Sequence, residues 1–244
     1  MKMRLENDPM GAAIADYHRK GKAGKLRVFS SQFDEDEMPV DILFRDYENM
    51  PKLEQKALEL AKGRILDVGA GSGCHALVLQ DMRKEVVAIE ISDLSVEVMK
   101  ERGVYDARKV DFYDPKFTEK FDTILMLMNG SGLIGKIENM SAFFNKVRDL
   151  LSPGGSVLMD SSDLRYLYED EDGNFDIDLA GDYYGEIDYW MKYKDIKGES
   201  FDCLYVDFET LSYHAEESGF TTELIAEGDH YDYLARLQIK NLHK

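Results

Sequence analysis

Ile65-Leu66-Asp67-Val68-Gly69-Ala70-Gly71-Ser72-Gly73-Cys74-His75 is the segment on which the fold turns. Its first four residues read as a short strand, apolar except for Asp67; three glycines follow at every second position, and a helix-forming stretch resumes at Cys74. Glycines so spaced permit a tight turn and let a ligand lie against bare main chain. The free N–H groups at the helix start favour an anionic group on that ligand. A dinucleotide fingerprint needs its third glycine at the sixth position of the motif, which here is Cys74, so a nicotinamide cofactor fits poorly.

On either side of this segment the pattern is regular. β-prone runs at 64–68, 85–89, 108–112, 121–128 and 156–160 alternate with helical stretches from 74, at 93–102 and at 137–151, the last followed by the turn signal Ser152-Pro153-Gly154-Gly155. Alternation of this kind predicts a parallel sheet covered on both faces. Beyond Asp163 come an acidic stretch through Asp178 and two alternating segments, 186–194 and 200–207, that read as an inserted β-hairpin. A helix over 208–218 leads to strands at 221–227 and 231–239. Gly228, Asp229 and His230 between them are too few for a crossover helix, so that pair is antiparallel. Upstream, Pro51 opens a helix that Gly63 ends. Residues 1–50, with a short helix near 10–20, a basic stretch at 20–27 and an acidic patch at 34–37, read as a cap.

Of 244 residues, 44% are hydrophobic and 32% charged, which excludes a wholly disordered or collagen-like chain. The formal net charge of −18 repels phosphate backbones and anionic lipid, so nucleic acid is not an expected partner. Cys74 and Cys203 have no second thiol at metal-ligand spacing, which predicts neither a metal site nor a disulfide. The first twenty residues lack an apolar run fit for a secretory signal, and the longest apolar run, 123–128, is far too short to span a bilayer. A soluble cytoplasmic protein without membrane partners is expected.

Four elements in register carry a resemblance. The acid-then-Gly-x-Gly-x-Gly of Asp67 to Gly73, the acid Glu90 closing Val86-Val87-Ala88-Ile89, the triplet Val110-Asp111-Phe112, and the strand 121–128 running into Asn129-Gly130 are together similar to class I S-adenosylmethionine-dependent methyltransferases. The resemblance spans about residues 50–240. It implies S-adenosyl-L-methionine as cofactor and S-adenosyl-L-homocysteine as product, with Asp67, Gly69, Ala70, Gly71 and Gly73 around the methionine part. Glu90 would grip the ribose hydroxyls, Ile91, Asp111 and Phe112 would lie near the adenine, and Asn129 would sit beneath the sulfonium. An ionised carboxylate with two oxygens suits a vicinal diol. The loop Asn129-Gly130-Ser131-Gly132 differs from the Asn/Asp-Pro-Pro-aromatic signature of enzymes that methylate nucleic-acid bases.

With the element order, the resemblance implies an α/β fold: a doubly wound, mostly parallel seven-stranded sheet with an antiparallel last strand, an N-terminal helical cap and a β-hairpin insertion. The expected organisation is one methyltransferase domain with a cap (1–50), a cofactor-binding core (51–163), an acidic loop and hairpin (164–207) and a final helix with the antiparallel pair (208–244). Methyl transfer from a sulfonium is an in-line displacement that needs alignment and exclusion of water, and a general base is optional. The candidate catalytic residues are Asn129, directly after the fourth strand, and His230, at a turn on the same rim. Asp160 to Asp163 offer polar groups to the same cleft. Each has a plainer alternative: Asp111 can start a turn, Phe112 and Ile91 can be core, and His230 can be a turn histidine. His75 can pack at the helix start, and the tyrosines at 183, 184, 189 and 193 can be packing. The acceptor expected is a small molecule. Rival readings are a non-catalytic cofactor-binding protein, a protein methyltransferase and a nicotinamide-dependent oxidoreductase.

Overall fold

The structure, a computed structural model, describes residues 7–169 and 181–240. The acidic tract at 170–178 therefore lies outside the described residues. The chain opens with α1 (Pro9–Lys20), where Asp8 accepts from the Gly11 N–H at 2.8 Å and Gly21, in the left-handed region at φ 67°, closes the last turn. Pro at the first helical position and His18, Arg19 and Lys20 in the last turn suit the free N–H and C=O groups at its ends. Two short strands follow, β1 (Leu26–Phe29) and β2 (Asp36–Met38), and then α2 (Lys52–Leu60).

The alternating core comprises β3 (Arg64–Val68), α3 (Cys74–Asp81), β4 (Glu85–Glu90), α4 (Asp93–Glu101), β5 (Ala107–Lys109), β6 (Phe121–Met126), α5 (Met140–Leu150) and β7 (Leu151–Ser162). The remaining elements are β8 (Glu186–Tyr193), β9 (Ile196–Lys197), β10 (Phe201–Leu204), α6 (Phe208–Glu217), β11 (Phe220–Glu227) and β12 (Asp232–Ile239). Seven strands form one sheet in the order β11-β12-β7-β6-β3-β4-β5. β3 to β7 pair in parallel, β12 runs antiparallel to β7, and β11 antiparallel to β12, so the doubly wound sheet with an antiparallel last strand is the fold that forms.

Ile65, Leu66, Ile124 and Leu125 in the central strands are fully buried, as a sheet covered on both faces requires. Phe143, Phe144, Val147 and Leu150 of α5, with Leu211 and Ala215 of α6, cover one face. Leu53, Ala57 and Leu58 of α2, with Leu79 of α3 and Met99 of α4, cover the other. From β3 the chain winds outward to β5, then returns to β6 on the opposite side of β3. Loops diverge at that reversal, and a crevice opens at the carboxyl ends of β3 and β6.

Several boundaries differ from the sequence expectation, each for a local reason. The run expected at 108–112 pairs only as far as Lys109, because Asp111 begins a turn that takes the Tyr113 N–H at 2.9 Å. Ser152-Pro153-Gly154-Gly155 does not separate a helix from a strand; it is the bulged entry of β7. The register jumps there from Phe121↔Leu151 to Thr123↔Ser156, and a Cβ on Gly155 would meet the Phe121 carbonyl at 3.0 Å. The cap is also more than helical. β1 pairs antiparallel with β8, opposing Leu26 to Tyr193 and Phe29 to Trp190, and with β10 and β2 they build a second sheet, β10-β8-β1-β2, to which β9 adds. The inserted hairpin and the amino-terminal segment are thus one structural unit. Tyr193, fully buried there, donates to Asp16 at 2.8 Å and accepts from the Gly24 N–H, which is a packing role.

Candidate active site

At the end of β3 the chain turns through Gly69, Gly71 and Gly73, all with positive φ (68°, 55° and 82°). They serve different needs. A Cβ at Gly69 would meet nothing within 4 Å, so its main chain faces open space, whereas one at Gly73 would collide with Val104 (2.8 Å) and Met99 (2.9 Å). Gly73 lets α3 seat against the core; Gly69 leaves room for a ligand. The loop hangs from β4, with the Gly69 and Ala70 N–H groups donating to the Ile89 carbonyl at 3.0 and 3.1 Å.

Glu90, at the end of β4, accepts from the Gly71 N–H (3.1 Å) through Oε2 and from the Ile91 (2.7 Å) and Ser92 (3.3 Å) N–H groups through Oε1. Burial raises its carboxyl above the ordinary range while those three amides pull it down. With two lone pairs per oxygen, Oε2 keeps an acceptor position for a ligand hydroxyl. Asp67 is buried, and its Oδ2 has no partner. Burial pushes its carboxyl up to about 6, with the neighbouring His75 opposing the rise. A buried orphan acceptor is costly unless a donor fills it, and an ammonium at the amino-acid end of a ligand is such a donor. The loop, Glu90 and Asp67 therefore fit a nucleoside bearing an amino-acid tail.

Asp160, towards the end of β7, binds the Gly130 (2.8 Å) and Met128 (3.0 Å) N–H groups and so shapes the loop after β6. Burial pushes its carboxyl up to about 6 as well. Met128 and Asn129 both lie in the left-handed region, φ 65° and 60°, a strained turn that Asp160 holds in place. His75, in the first turn of α3, contacts Glu54 of α2 at 2.8 Å, and Glu54 takes both contacts from Arg45 Nη2 at 2.7 and 2.8 Å. Burial alone would lower the His75 imidazole, but Glu54 together with the charges of Asp67 and Asp160 raises it above its ordinary value.

The cap closes on this loop. Ser72 donates to the Leu43 carbonyl, Arg102 donates to the Ser72 carbonyl and hydroxyl at 2.7 and 2.6 Å, and the Arg102 guanidinium stacks 4.7 Å over Phe44. Ser92 donates to Asp8 at 2.6 Å, tying the start of α1 to the start of α4. A groove of about 500 Å³ opens between residues 44–48 and α3, but Asp67, Glu90, Asn129 and Asp160 do not line it, so it is separate from the crevice.

The remaining sequence candidates are distributed unevenly. Ile91 is 37% exposed beside Glu90, an apolar side chain at the crevice edge. Asp111 is half-buried at its turn, whereas the Phe112 ring is core, packed near Phe143 (6.2 Å), so a ligand contact from Phe112 is left to its main chain. The side chain and the carbonyl of Asn129 have protein partners. Its amide N–H groups point to Cys203 (3.4 Å) and the Leu204 carbonyl (3.5 Å), its Oδ1 accepts from Ser131, and its carbonyl accepts from the Gly132 N–H. These contacts hold the loop against β10. His230 does stand on the same rim, since Asp232 pairs with Ser162, but it is exposed in its turn and joins none of the buried acids.

Two tyrosine pairs join residues that are distant in sequence. Tyr166 stacks on Tyr231 with centroids 5.3 Å apart, and Tyr189 meets Tyr205 hydroxyl to hydroxyl at 3.4 Å. Arg45 and Glu54 gave no sequence signal, because an isolated Arg in a cap and a Glu in a first helical turn look like solvated residues.

A solved S-adenosylmethionine-dependent methyltransferase from Bacteroides fragilis, in complex with S-adenosyl-L-homocysteine, is 64% identical to this chain. It covers 98% of each chain, with a TM-score of 0.93. The chain belongs to the S-adenosylmethionine-dependent methyltransferases. A family model described as a methyltransferase domain matches residues 65–155 of this methyltransferase. Among curated proteins, the cypemycin N-terminal methyltransferase of a Streptomyces species is 28% identical over 102 residues, 41% of this chain and 42% of its own. An uncharacterized methyltransferase of Staphylococcus carnosus is 34% identical over 83 residues, 34% and 40% of the two chains. The matched stretches thus span about two fifths of those relatives' length. No described helix of the methyltransferase is long and apolar enough to cross a membrane.

Proposed function

We propose that the crevice at the carboxyl ends of β3, β4 and β6 binds S-adenosyl-L-methionine and that the enzyme transfers its methyl group to a small-molecule acceptor, releasing S-adenosyl-L-homocysteine. The unpartnered, buried Oδ2 of Asp67 beside an open glycine loop carries this reading. When bound, the sulfonium supplies an electrophilic methyl group to an acceptor lone pair. Gly69, Ala70, Gly71 and Gly73 hold the amino-acid end by main chain, with Asp67 receiving its ammonium. Glu90 accepts from the ribose hydroxyls, and Ile91, Asp111 and the Phe112 main chain flank the base. Asn129 and Asp160 fix the loop under the methyl group. The acceptor enters beside Tyr166, Tyr189, Tyr205 and Tyr231, whose rings exclude water and line an apolar approach. His230 is the rim group within reach of a proton on an incoming acceptor. The residues at 1–50, the core at 51–163, the insertion at 164–207 and the closing segment at 208–244 act as one domain, in the cytoplasm and away from nucleic acid. The acidic surface supports that last point.

A second reading, methylation of an amino terminus on a peptide or protein, is favoured by the relative named for the N-terminus of cypemycin. Incubating the enzyme with methyl-labelled cofactor and a cell lysate separates the two. Label is expected in small metabolites; label confined to macromolecules moves the assignment to the second reading. Release of no S-adenosyl-L-homocysteine with any fraction overturns both.

A further inference from the structure

Beneath the glycine loop lies a chain of buried charges that reaches from the cap to the strand ends. The side chains of Arg45, Glu54 and His75 are 16%, 5% and 6% exposed, and Arg45–Glu54–His75 are joined at 2.7–2.8 Å. Beyond His75 stand Asp67 at the end of β3, which takes an N–H from Ala76 of the same helix turn, and Asp160 of β7. Two buried atoms of this chain lack partners, Arg45 Nε at one end and Asp67 Oδ2 at the other.

We propose that His75 is a positioning cation: protonated between Glu54 on one side and Asp67 and Asp160 on the other, it keeps both strand-end carboxylates ionised at neutral pH and so sets the crevice's affinity for a ligand's ammonium group. The inference rests on the cofactor reading above. With His75 charged, two cations face three carboxylates, and the missing positive charge is what an ammonium on the ligand provides. With His75 neutral, one guanidinium would face three buried carboxylates, and Asp67 or Asp160 would take up a proton instead. The other groups facing this chain do not replace His75. Glu90 adds a like charge beside Asp67, the Cys74 thiol is pushed up to about 12 by burial and stays neutral, and Arg102 is spent on Ser72 and Phe44.

Titrating S-adenosyl-L-homocysteine into the full chain between about pH 5.5 and 8.5 tests this. Wild-type affinity is expected to rise through about 6, where Asp67 and Asp160 ionise, and then level. In His75→Gln, which can still donate to Glu54, the midpoint moves up by about one pH unit. Affinity then falls about tenfold near pH 6.5 and by less than about threefold at the alkaline end. A loss by the same factor at every pH means that His75 is merely structural and overturns the proposal. Should His75→Gln fail to fold, nitrogen chemical shifts of the wild-type imidazole decide the matter. An imidazolium persisting at about pH 7.5 supports the proposal, and a neutral ring near pH 6.5 ends it. A wild-type protein that binds no cofactor at any pH would instead overturn the cofactor reading, a result distinct from normal binding with an unshifted midpoint.

Discussion

Glu90 and the glycines make opposite demands on the same few ångströms of chain. Glu90 supplies charge where Gly71 supplies a donor, and replacing the carboxylate leaves three amide N–H groups without an acceptor as well as the ligand without one. Glu90→Ala is expected to weaken S-adenosyl-L-homocysteine binding by about 2 kcal/mol or more, roughly thirtyfold, by calorimetric titration. Unchanged affinity would remove Glu90 from the site. Gly69 and Gly73 separate ligand space from packing space. Gly73→Ala combines positive φ with contacts at 2.8 and 2.9 Å and is expected to cost about 2 kcal/mol in unfolding free energy. Gly69→Ala carries the left-handed strain alone, about 1 kcal/mol, yet places a methyl group in the ligand's space. Its loss is expected chiefly in binding. If the two variants show the same ratio of stability loss to affinity loss, the division between them is wrong.

The carboxyl end of α2 is finished by a group from outside the helix. Lys84, between α3 and β4, donates to the Leu58 (2.6 Å), Glu59 (3.1 Å) and Ala61 (2.7 Å) carbonyls, so one ammonium completes the carboxyl end of α2. Lys84→Met, which keeps the stem and removes the donor, is expected to lower stability by about 1–2 kcal/mol in chemical denaturation. A neutral result would show that water serves those carbonyls equally well. At the amino end of α1, Asp8 caps its own helix and accepts from Ser92, itself the cap of α4 through the Ser95 N–H at 3.1 Å. His18–Glu101 and Arg19–Glu97, both at 3.1 Å, continue the same seam at the surface, where such pairs contribute little. Asp8→Ala is therefore expected to loosen the cap as well as fray α1. Faster amide exchange should appear through residues 9–20 and at 92–95, and exchange confined to α1 would show that the two caps are independent.

For the protein as a unit, the crevice is a place where stability has been given up for binding. Asp67 and Asp160 are raised from the ordinary carboxylate range to about 6, and His75 is raised above its own ordinary value. A group whose folded value lies above its unfolded one stabilises fully below the unfolded value and loses that contribution as pH climbs through the folded one. The free enzyme should therefore lose stability between about pH 4 and 6 from the two aspartates, and further above about 6.5, where the unfolded imidazole is neutral while folded His75 keeps its proton. A bound cation beside Asp67 reverses the aspartate contribution. The rise in Tm produced by S-adenosyl-L-homocysteine is expected to grow from about pH 5.5 to 7.5, and Asp67→Asn should flatten that growth. A ligand-induced rise independent of pH would show that Asp67 does not meet the ligand's ammonium.

Much of this was legible in the chain because it depends on neighbours in sequence. Period-two and period-3.6 patterns between Arg64 and Leu150 announce the parallel sheet. The glycine spacing after Asp67 announces a ligand turn, and the three residues 228–230 force the last pair to be antiparallel. What stayed hidden depends on groups far apart along the chain. β1 and β2 are four and three residues long, too brief for a periodic signal; they pair with each other, and β1 is placed in its sheet by β8, more than 150 positions later. The contact of the Asn129 amide with β10 likewise exists only in three dimensions. Arg45, Glu54 and His75 become one buried charge chain because the cap folds over α3, and burial, which no local pattern encodes, turns three ordinary polar residues into the floor of the site.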